Sequence, residues 1–424
     1  MRKTGTDGSL AFNHPRRLVL PGVAFFIVVV LSQCSSATAF SKIQPNGIST
    51  RRAFLSTTTT ATTASTFLPI NMSNTDSVDA TSSSPPLRVA LLGAGIFARD
   101  SHAPTLLKYP ESFSVEAVWS RSADSSKSLA TTIDANLPSY SGPDGLDELL
   151  ARTDVEAVVM ALPLDSQPAY VQKAWDNGKH VLSEKPIASS VAEAKELVDK
   201  YRAIKTGAKS DLQWSVAENF RYEPAIVRAA EVIKTGVIGK PFLFSLTIRA
   251  PFTPDNKYLN TLWRKGASWY GGMFIDSFVH PSAMLRFVLG NAKTVSAVTS
   301  SQADYLPSVD TMVGRIECEN GAIGAVSVTY ACSTLKFELD VTGTDGSMVL
   351  RRRTDGPGYT VVVNGGEEES YGFGGIDGEF LAFAKACRGV EDDRNTPEEG
   401  LGDLALIEAL LLSGKESGTI KAVA

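Results

Sequence analysis

The chain has 424 residues, 43% hydrophobic and 21% charged, and is long enough to bury more than one core. Glycine (34) and proline (21) are near ordinary usage, which excludes a collagen-like or low-complexity chain. The net charge of −5 hides an asymmetry: residues 1–75 hold seven of the 41 Lys/Arg and one of the 46 Asp/Glu, leaving −11 on the remainder. A body that acidic is a poor match for nucleic acid or an anionic membrane surface.

The N-terminal leader comes first in the chain. Arg16-Arg17 precede Leu18 to Leu31, apolar apart from Pro21 and Gly22, and Ala37-Thr38-Ala39 follows. A basic start, a short apolar run and an A-x-A site predict a signal peptide over residues 1–39. The run is shorter than the roughly 20 residues that span a bilayer, so no stable membrane insertion of the mature form is expected; a retained anchor is the alternative. Phe40 to Thr75 has no acid, contains Lys42, Arg51 and Arg52, and is rich in Ser and Thr, the composition of a transit peptide. The junction Ala39-Phe40 resembles the bipartite plastid presequence of algae with secondary plastids, which implies a plastid destination. That destination is the stroma or, because Ser49-Thr50-Arg51-Arg52-Ala53-Phe54-Leu55 resembles a twin-arginine signal, the thylakoid lumen. Residues 40–86 are expected to be transit peptide and disordered spacer, with the fold beginning at Leu87.

Leu87 to Leu92 reads as a strand ending in Gly93-Ala94-Gly95-Ile96-Phe97-Ala98, after which a helical pattern opens. This is G-x-G-x-x-A between strand and helix, the context in which the motif predicts dinucleotide binding. Gly93 permits the tight turn, Gly95 lets the backbone approach a pyrophosphate, and Ala98 allows close helix packing, with Ile96 and Phe97 alongside. The second strand, Phe113 to Trp119, runs into Ser120-Arg121-Ser122, where an NAD-selective site usually carries an acid. Arg121 can pair with a 2′-phosphate and the serines can donate to it, so NADP(H) is the expected cofactor; a solvated loop arginine is the alternative.

Alternation continues with a helix near Gly145 to Ala151, a strand Ala157 to Leu162, a helix Ser166 to Asn177 and a strand His180 to Leu182. Repeats of this kind predict a parallel sheet with the cofactor across its carboxyl edge, so Leu162, Pro163 and the loop Ser183-Glu184-Lys185-Pro186 are candidate contacts.

From about Gln213 the rhythm changes. Phe242 to Ile248, Val295 to Thr299, Thr311 to Ile316, Ala325 to Thr329, Leu335 to Val341, Met348 to Arg351 and Tyr359 to Val363 are strand-like and separated by turns. They predict a mostly antiparallel open sheet covered on one face by helices near 222–234 and 276–289. Helices Gly378 to Cys387 and Gly400 to Leu412 close the chain, and these terminal helices can pack back on the first domain. The expected fold class is therefore α/β: a Rossmann domain over 87–212 and an α+β substrate and dimerisation domain over 213–424.

The four cysteines, Cys34, Cys318, Cys332 and Cys387, lack CxxC spacing, so neither a disulfide framework nor a metal site is expected. His102, His180 and His280 are the imidazoles beyond the leader; His180 precedes a buried strand and reads as structural, whereas His102 can approach the cofactor or cap a helix.

Over residues 87 to 424 the chain resembles the Gfo/Idh/MocA oxidoreductases. The resemblance rests on the glycine turn, on Gly178 to Pro186, on Glu218-Asn219-Phe220-Arg221-Tyr222, on Gly236-Val237-Ile238-Gly239, on Gly271-Gly272 with Asp276 and His280, and on Asp403 to Ala409. Asn256-Lys257-Tyr258 and Trp263-Arg264 are similar to a fungal NADP-dependent branch. The resemblance implies that Lys185 lies near the nicotinamide and polarises a carbonyl about to accept hydride, and that His280 carries the proton. Asp276 and His280, four residues apart on one helix face, suggest that the carboxylate orients the imidazole. Asn219, Tyr258, Trp263 and Arg264 are candidate substrate contacts, and a homodimer through the open sheet is implied. Met284 stands where many sugar and polyol dehydrogenases of the family carry an acid, and Gln167 where the loop after the fourth strand often has a histidine, which argues against an inositol-like or glucose-like substrate. The expected activity is hydride transfer between NADP(H) and a small sugar, polyol, diol or aldehyde; a non-catalytic NADP-binding sensor is the alternative.

Overall fold

The computed structural model describes residues 84–261, 264, 272–306 and 308–424, so the expectations for the leader, for Trp263 and for Gly271 lie outside the described residues. No helix among the described residues is long and apolar enough to cross a membrane.

Six strands form one all-parallel sheet: β1 (Leu87–Leu92), β2 (Phe113–Ser120), β3 (Ser139–Ser141), β4 (Ala157–Met160), β5 (His180–Glu184) and β6 (Trp214–Ala217), in the order β3-β2-β1-β4-β5-β6. Strand β4 is buried at every residue, as expected of a strand with helices on both faces. The covering helices are α1 (Ala103–Lys108), α2 (Ala123–Ile133), α3 (Gly142–Ala151), α4 (Gln167–Asp176) and α5 (Val191–Lys205). Local chemistry sets their starts: Ser122 accepts from Ser125 N at 3.5 Å at the head of α2, and Ser190 accepts from Glu193 N at 3.3 Å at the head of α5. The Glu193 carboxylate reaches back to Ser189 N at 3.0 Å, satisfying another helix-entry donor. The strand order reverses between β1 and β4, and the crevice outside their carboxyl ends is where this architecture binds ligands.

The second sheet has nine strands: β7 (Pro241–Arg249), β8 (Ala292–Ser300), β9 (Thr311–Cys318), β10 (Ile323–Thr329), β11 (Lys336–Gly343), β12 (Ser347–Arg352), β13 (Tyr359–Val363), β14 (Glu368–Tyr371) and β15 (Lys421–Ala422). Their order is β14-β13-β12-β11-β7-β10-β9-β8-β15, antiparallel except for the β7–β10 pair. Residues alternate between buried and more accessible along β9, β10 and β11, the mark of a sheet with one covered face. Helices α6 (Pro224–Lys234), α7 (Gly272–Leu289) and α9 (Pro397–Lys415) cover it; α7 is buried at nearly every position.

The α/β class with a parallel and a mostly antiparallel sheet is as the sequence predicts. Two features differ. Trp214–Ala217 pairs with β5, so the parallel sheet runs past residue 212. Helix α5 occupies a stretch where no element was expected, although Ala194, Leu197, Val198 and Tyr201 carry the helical period. Helix α8 (Gly375–Ala386) buries Phe380 and Phe383 in the same cluster as Val89, Leu106 and Phe113, so this C-terminal helix packs back on the first domain, while the last strand, β15, stays in the second sheet.

Candidate active site

The glycine turn opens onto a cleft of about 370 Å³. Gly93, Gly95, Ile96 and Phe97 form one wall; Ser120, Arg121 and Ser122 lie at one end; Leu162, Pro163, Gln167, Glu184 and Lys185 come from the loops after β4 and β5. Tyr258, Thr261, Arg264 and Asp276 close it from the second domain. Gly93 has φ +111°, and a Cβ there would sit 2.3 Å from the Ala161 carbonyl oxygen, so only glycine fits. A Cβ at Gly95 would meet no atom within 4 Å, so this backbone faces open space as a phosphate cradle requires. Ala98 is fully buried behind the turn and starts a π-helical turn, Ala98–His102, that leads into α1. Arg99, which the motif does not single out, fastens this turn to α2: Nε donates to Ala94 O at 3.1 Å and Nη2 to Ser125 O at 2.9 Å. Turn, open backbone and terminal arginine together fit an elongated dinucleotide.

At the other end, β5 delivers Glu184 and Lys185, and the Lys185-Pro186 peptide is cis. Glu184 Oε1 lies 2.8 Å from His102 Nε2, whose ring is wedged edge-on against Phe97 and Phe380. His102 thus holds the Glu-Lys-Pro turn from behind. His180 is structural in its contacts: Nδ1 accepts from Gln213 N at 3.0 Å. Lys185 Nζ donates to the Asp276 carbonyl at 3.0 Å and to Asp276 Oδ1 at 3.1 Å, while Oδ2 accepts from Arg264 Nε at 2.9 Å. Burial pushes the Asp276 carboxyl pKa up, but the charges of Arg264 and Lys185 and their hydrogen bonds overcome this and hold it far below the usual range. Arg264 also sits 5.7 Å over the Tyr258 ring, and Lys257 Nζ meets Asp100 Oδ2 at 2.5 Å, tying this segment to the π-helical turn beside the glycine turn.

The expected Asp276–His280 pairing is corrected. His280 Nδ1 lies 2.8 Å from Glu218 Oε1, and its ring stacks on Phe220 at 4.9 Å. Helical spacing does put Asp276 on the face of His280, but two cations at its own level draw its carboxylate away. Glu218 follows β6 and heads the turn Asn219–Tyr222, where its Oε1 also accepts from Phe220 N at 3.0 Å. Burial raises the Glu218 pKa; nearby His280, then Arg221 and Lys185, outweigh it, and the net direction is down. An ionised Glu218 only accepts, so Nδ1 carries the proton that it receives and Nε2 is the ring nitrogen left outside that bond. That Nε2 is buried with no hydrogen-bond partner among the described residues; the ring borders a narrow cavity with Tyr330, Phe337 and Pro281. His280 is not among the residues lining the large cleft; Asp276, one helical turn away, is.

Asn219, expected at the substrate, instead donates to Glu223 Oε1 at 3.4 Å within its own turn. Arg221 binds Asp403 through two bonds of 2.7 Å, and Arg286 adds a third to Asp403 at 2.7 Å, so motifs 182 residues apart are one buried network beneath His280. Met284 is fully buried core. No group of His, Cys, Asp and Glu able to hold a metal occurs among the described residues.

Comparison with known proteins bears on both halves. Residues 87–207 match the family description "Oxidoreductase family, NAD-binding Rossmann fold", and residues 226–349 match "GFO/IDH/MocA C-terminal domain". Dehydrogenase FPY6 of Fusarium mangiferae is 34% identical over 79% of this chain and 98% of its own. A D-apiose dehydrogenase of Rhizobium rhizogenes is 28% identical over 51% of this chain and 60% of its own. The crystal structure of an oxidoreductase from Thermotoga maritima superposes with a TM-score of 0.71 at 28% identity, over 80% of this chain and 98% of that one. The chain belongs to the Gfo/Idh/MocA family of oxidoreductases.

Proposed function

We propose that the protein is an NADP(H)-dependent oxidoreductase that transfers hydride between the nicotinamide and a small hydroxyl or carbonyl compound of the sugar, polyol, diol or aldehyde class. One observation carries this reading: a single cleft runs from Arg121 beside the glycine turn to Lys185 and Asp276 at the domain junction. The similarity to a D-apiose dehydrogenase supports the sugar class.

A dinucleotide with its pyrophosphate at the glycine turn would bring its nicotinamide to the Lys185 end and would supply or accept the hydride there. The protein's own groups do the rest. Lys185, anchored on Asp276, presents a fixed cation to the reacting oxygen and stabilises negative charge developing there. His280, held by Glu218 with Nδ1 protonated, takes a proton at Nε2 in alcohol oxidation and returns it in carbonyl reduction. For this the reacting oxygen has to reach both Lys185 Nζ, at the cleft, and His280 Nε2, beside the narrow cavity. A pure sensor has no use for two such positioned pairs, which favours the enzyme.

The exposed face of the second sheet carries Leu243, Val313 and Ile323, each close to half exposed, and this supports a homodimer through that face. The leader supports plastid delivery; a reporter fused to residues 1–75 is expected in the plastid, and its secretion or cytosolic retention contradicts that. The activity is tested with a panel of small carbonyls and alcohols, following nicotinamide absorbance with NADPH or NADP. Turnover of a sugar or polyol supports the reading; tight NADPH binding with no turnover across the panel contradicts it in favour of the sensor.

A further inference from the structure

Gln167 opens α4 and is 1% exposed, yet it lines the cleft at the Lys185 end. Its Nε2 donates to the carbonyl oxygens of Glu184 at 2.6 Å and Pro186 at 3.2 Å, the residues on either side of Lys185. These two acceptors fix the orientation of the side-chain amide, because a flip would set oxygen against two carbonyl oxygens. Oε1 is thereby committed as an acceptor, and it is buried with no partner among the described residues. A buried acceptor left unpaired is costly, which is why such atoms in folded proteins mark a missing ligand or water.

With the dinucleotide lying from Arg121 to Lys185, the group that arrives beside Gln167 is the nicotinamide, whose carboxamide carries an NH₂ donor. We propose that Gln167 Oε1 accepts a hydrogen bond from that NH₂, making Gln167 a positioning residue that couples the orientation of the nicotinamide ring to the turn holding Lys185. One side chain then sets both the hydride-bearing ring and the cation opposite it. The proposal rests on the dinucleotide reading above and adds to it a selectivity for an amide-bearing ring. A substrate hydroxyl is the competing donor.

The test is binding rather than turnover. Affinities of NADP, of its thionicotinamide analogue, which keeps the NH₂, and of its acetylpyridine analogue, which replaces NH₂ by methyl, are measured by quenching of tryptophan fluorescence. The unmodified protein is expected to bind the two amide-bearing ligands roughly three- to tenfold more tightly than the acetylpyridine one. Gln167→Met, which keeps length and removes the hydrogen bonds, is expected to abolish the difference by weakening the first two more than the third. Equal affinities for all three in the unmodified protein overturn the proposal without needing the variant. Equal weakening of all three in Gln167→Met also overturns it, because the residue then acts only on the turn or toward the substrate. Absence of binding by any of the three removes the dinucleotide reading and this proposal with it.

Discussion

The two ends of the cleft are built on opposite terms. At the Arg121 end the charged group is exposed and flanked by serines, one of which already caps a helix. Lys185, Asp276 and Arg264 line the other end; they and the Glu218–His280 pair outside the cleft lining are all under one-tenth exposed, and each is tied to a partner of opposite or complementary charge. Such an open end can tune which dinucleotide is held at small cost to the fold. The buried end cannot lose one member without stranding another, so geometry and stability are coupled there.

The largest effects should therefore come from the buried end. Lys185→Met and His280→Ala are each expected to lower turnover by about 10²–10⁴-fold, with dinucleotide affinity nearly unchanged for His280→Ala. If His280→Ala keeps full turnover while chemistry is rate-limiting, the proton carrier is misassigned. Beneath this pair, Arg221→Met leaves Asp403 with Arg286 alone; a loss of about 3–5 kcal/mol in urea unfolding is expected, and a loss near zero would remove the coupling between stability and site geometry.

A third effect has a sign that separates the buried carboxyls. Burial raises Glu223 to about 7, and the backbone N–H groups of Gly374 and Gly375 only partly oppose it. A folded pKa above the unfolded value of 4.5 means that the protonated form stabilises the fold below that value and that this stabilisation is lost as pH rises through 7. The loss amounts to about 3 kcal/mol at most, from 1.36 kcal/mol per pKa unit. Glu379, pushed well above its usual range by burial and by Glu184, Glu218 and Glu223, works in the same direction. Asp276 and Glu218 work the other way: their depressed pKa values stabilise the fold above the usual carboxylate range, and that stability is lost in acid. Burial lowers the His180 pKa and so adds stability as pH rises through the same window, which leaves the difference between proteins as the readout. Thermal melts between pH 5 and 8 should show Glu223→Gln losing less stability with rising pH than the unmodified protein, and an unchanged slope contradicts the assignment. The smallest effect belongs to the open end. Arg121→Ala should shrink a preference for NADPH over NADH of roughly tenfold to hundredfold with no change in melting temperature, and equal affinities in the unmodified protein contradict the NADP reading.

The same contrast explains what the sequence could disclose. The glycine turn, the strand endings and the Glu-Lys-Pro loop are local patterns, and each lies where its neighbours in sequence put it. The partner of His280 is not local. A spacing of four on a helix selects Asp276, but which carboxylate reaches the ring depends on Lys185 and Arg264, from a separate strand end and loop, and on Glu218, 62 residues earlier. The signal available was Glu218 itself, an acid at the end of an apolar strand within the Glu-Asn-Phe-Arg-Tyr run. Asn219, beside it in the run, could not be separated from Glu218 by pattern, since only the direction of a tight turn decides which side chain meets the helix. The link from Arg221 to Asp403 joins two recognisable motifs, but nothing in either announces the other.

Glu218 partners His280 while Asp276 serves Lys185, and nitrogen NMR of the histidine rings tests this division without needing a substrate. After the leader only His102, His180 and His280 contribute signals, which makes assignment by substitution direct. A protonated Nδ1 on His280 is expected, with a resonance that moves in Glu218→Gln and stays in place in Asp276→Asn. A resonance that ignores Glu218→Gln and follows Asp276→Asn would contradict it.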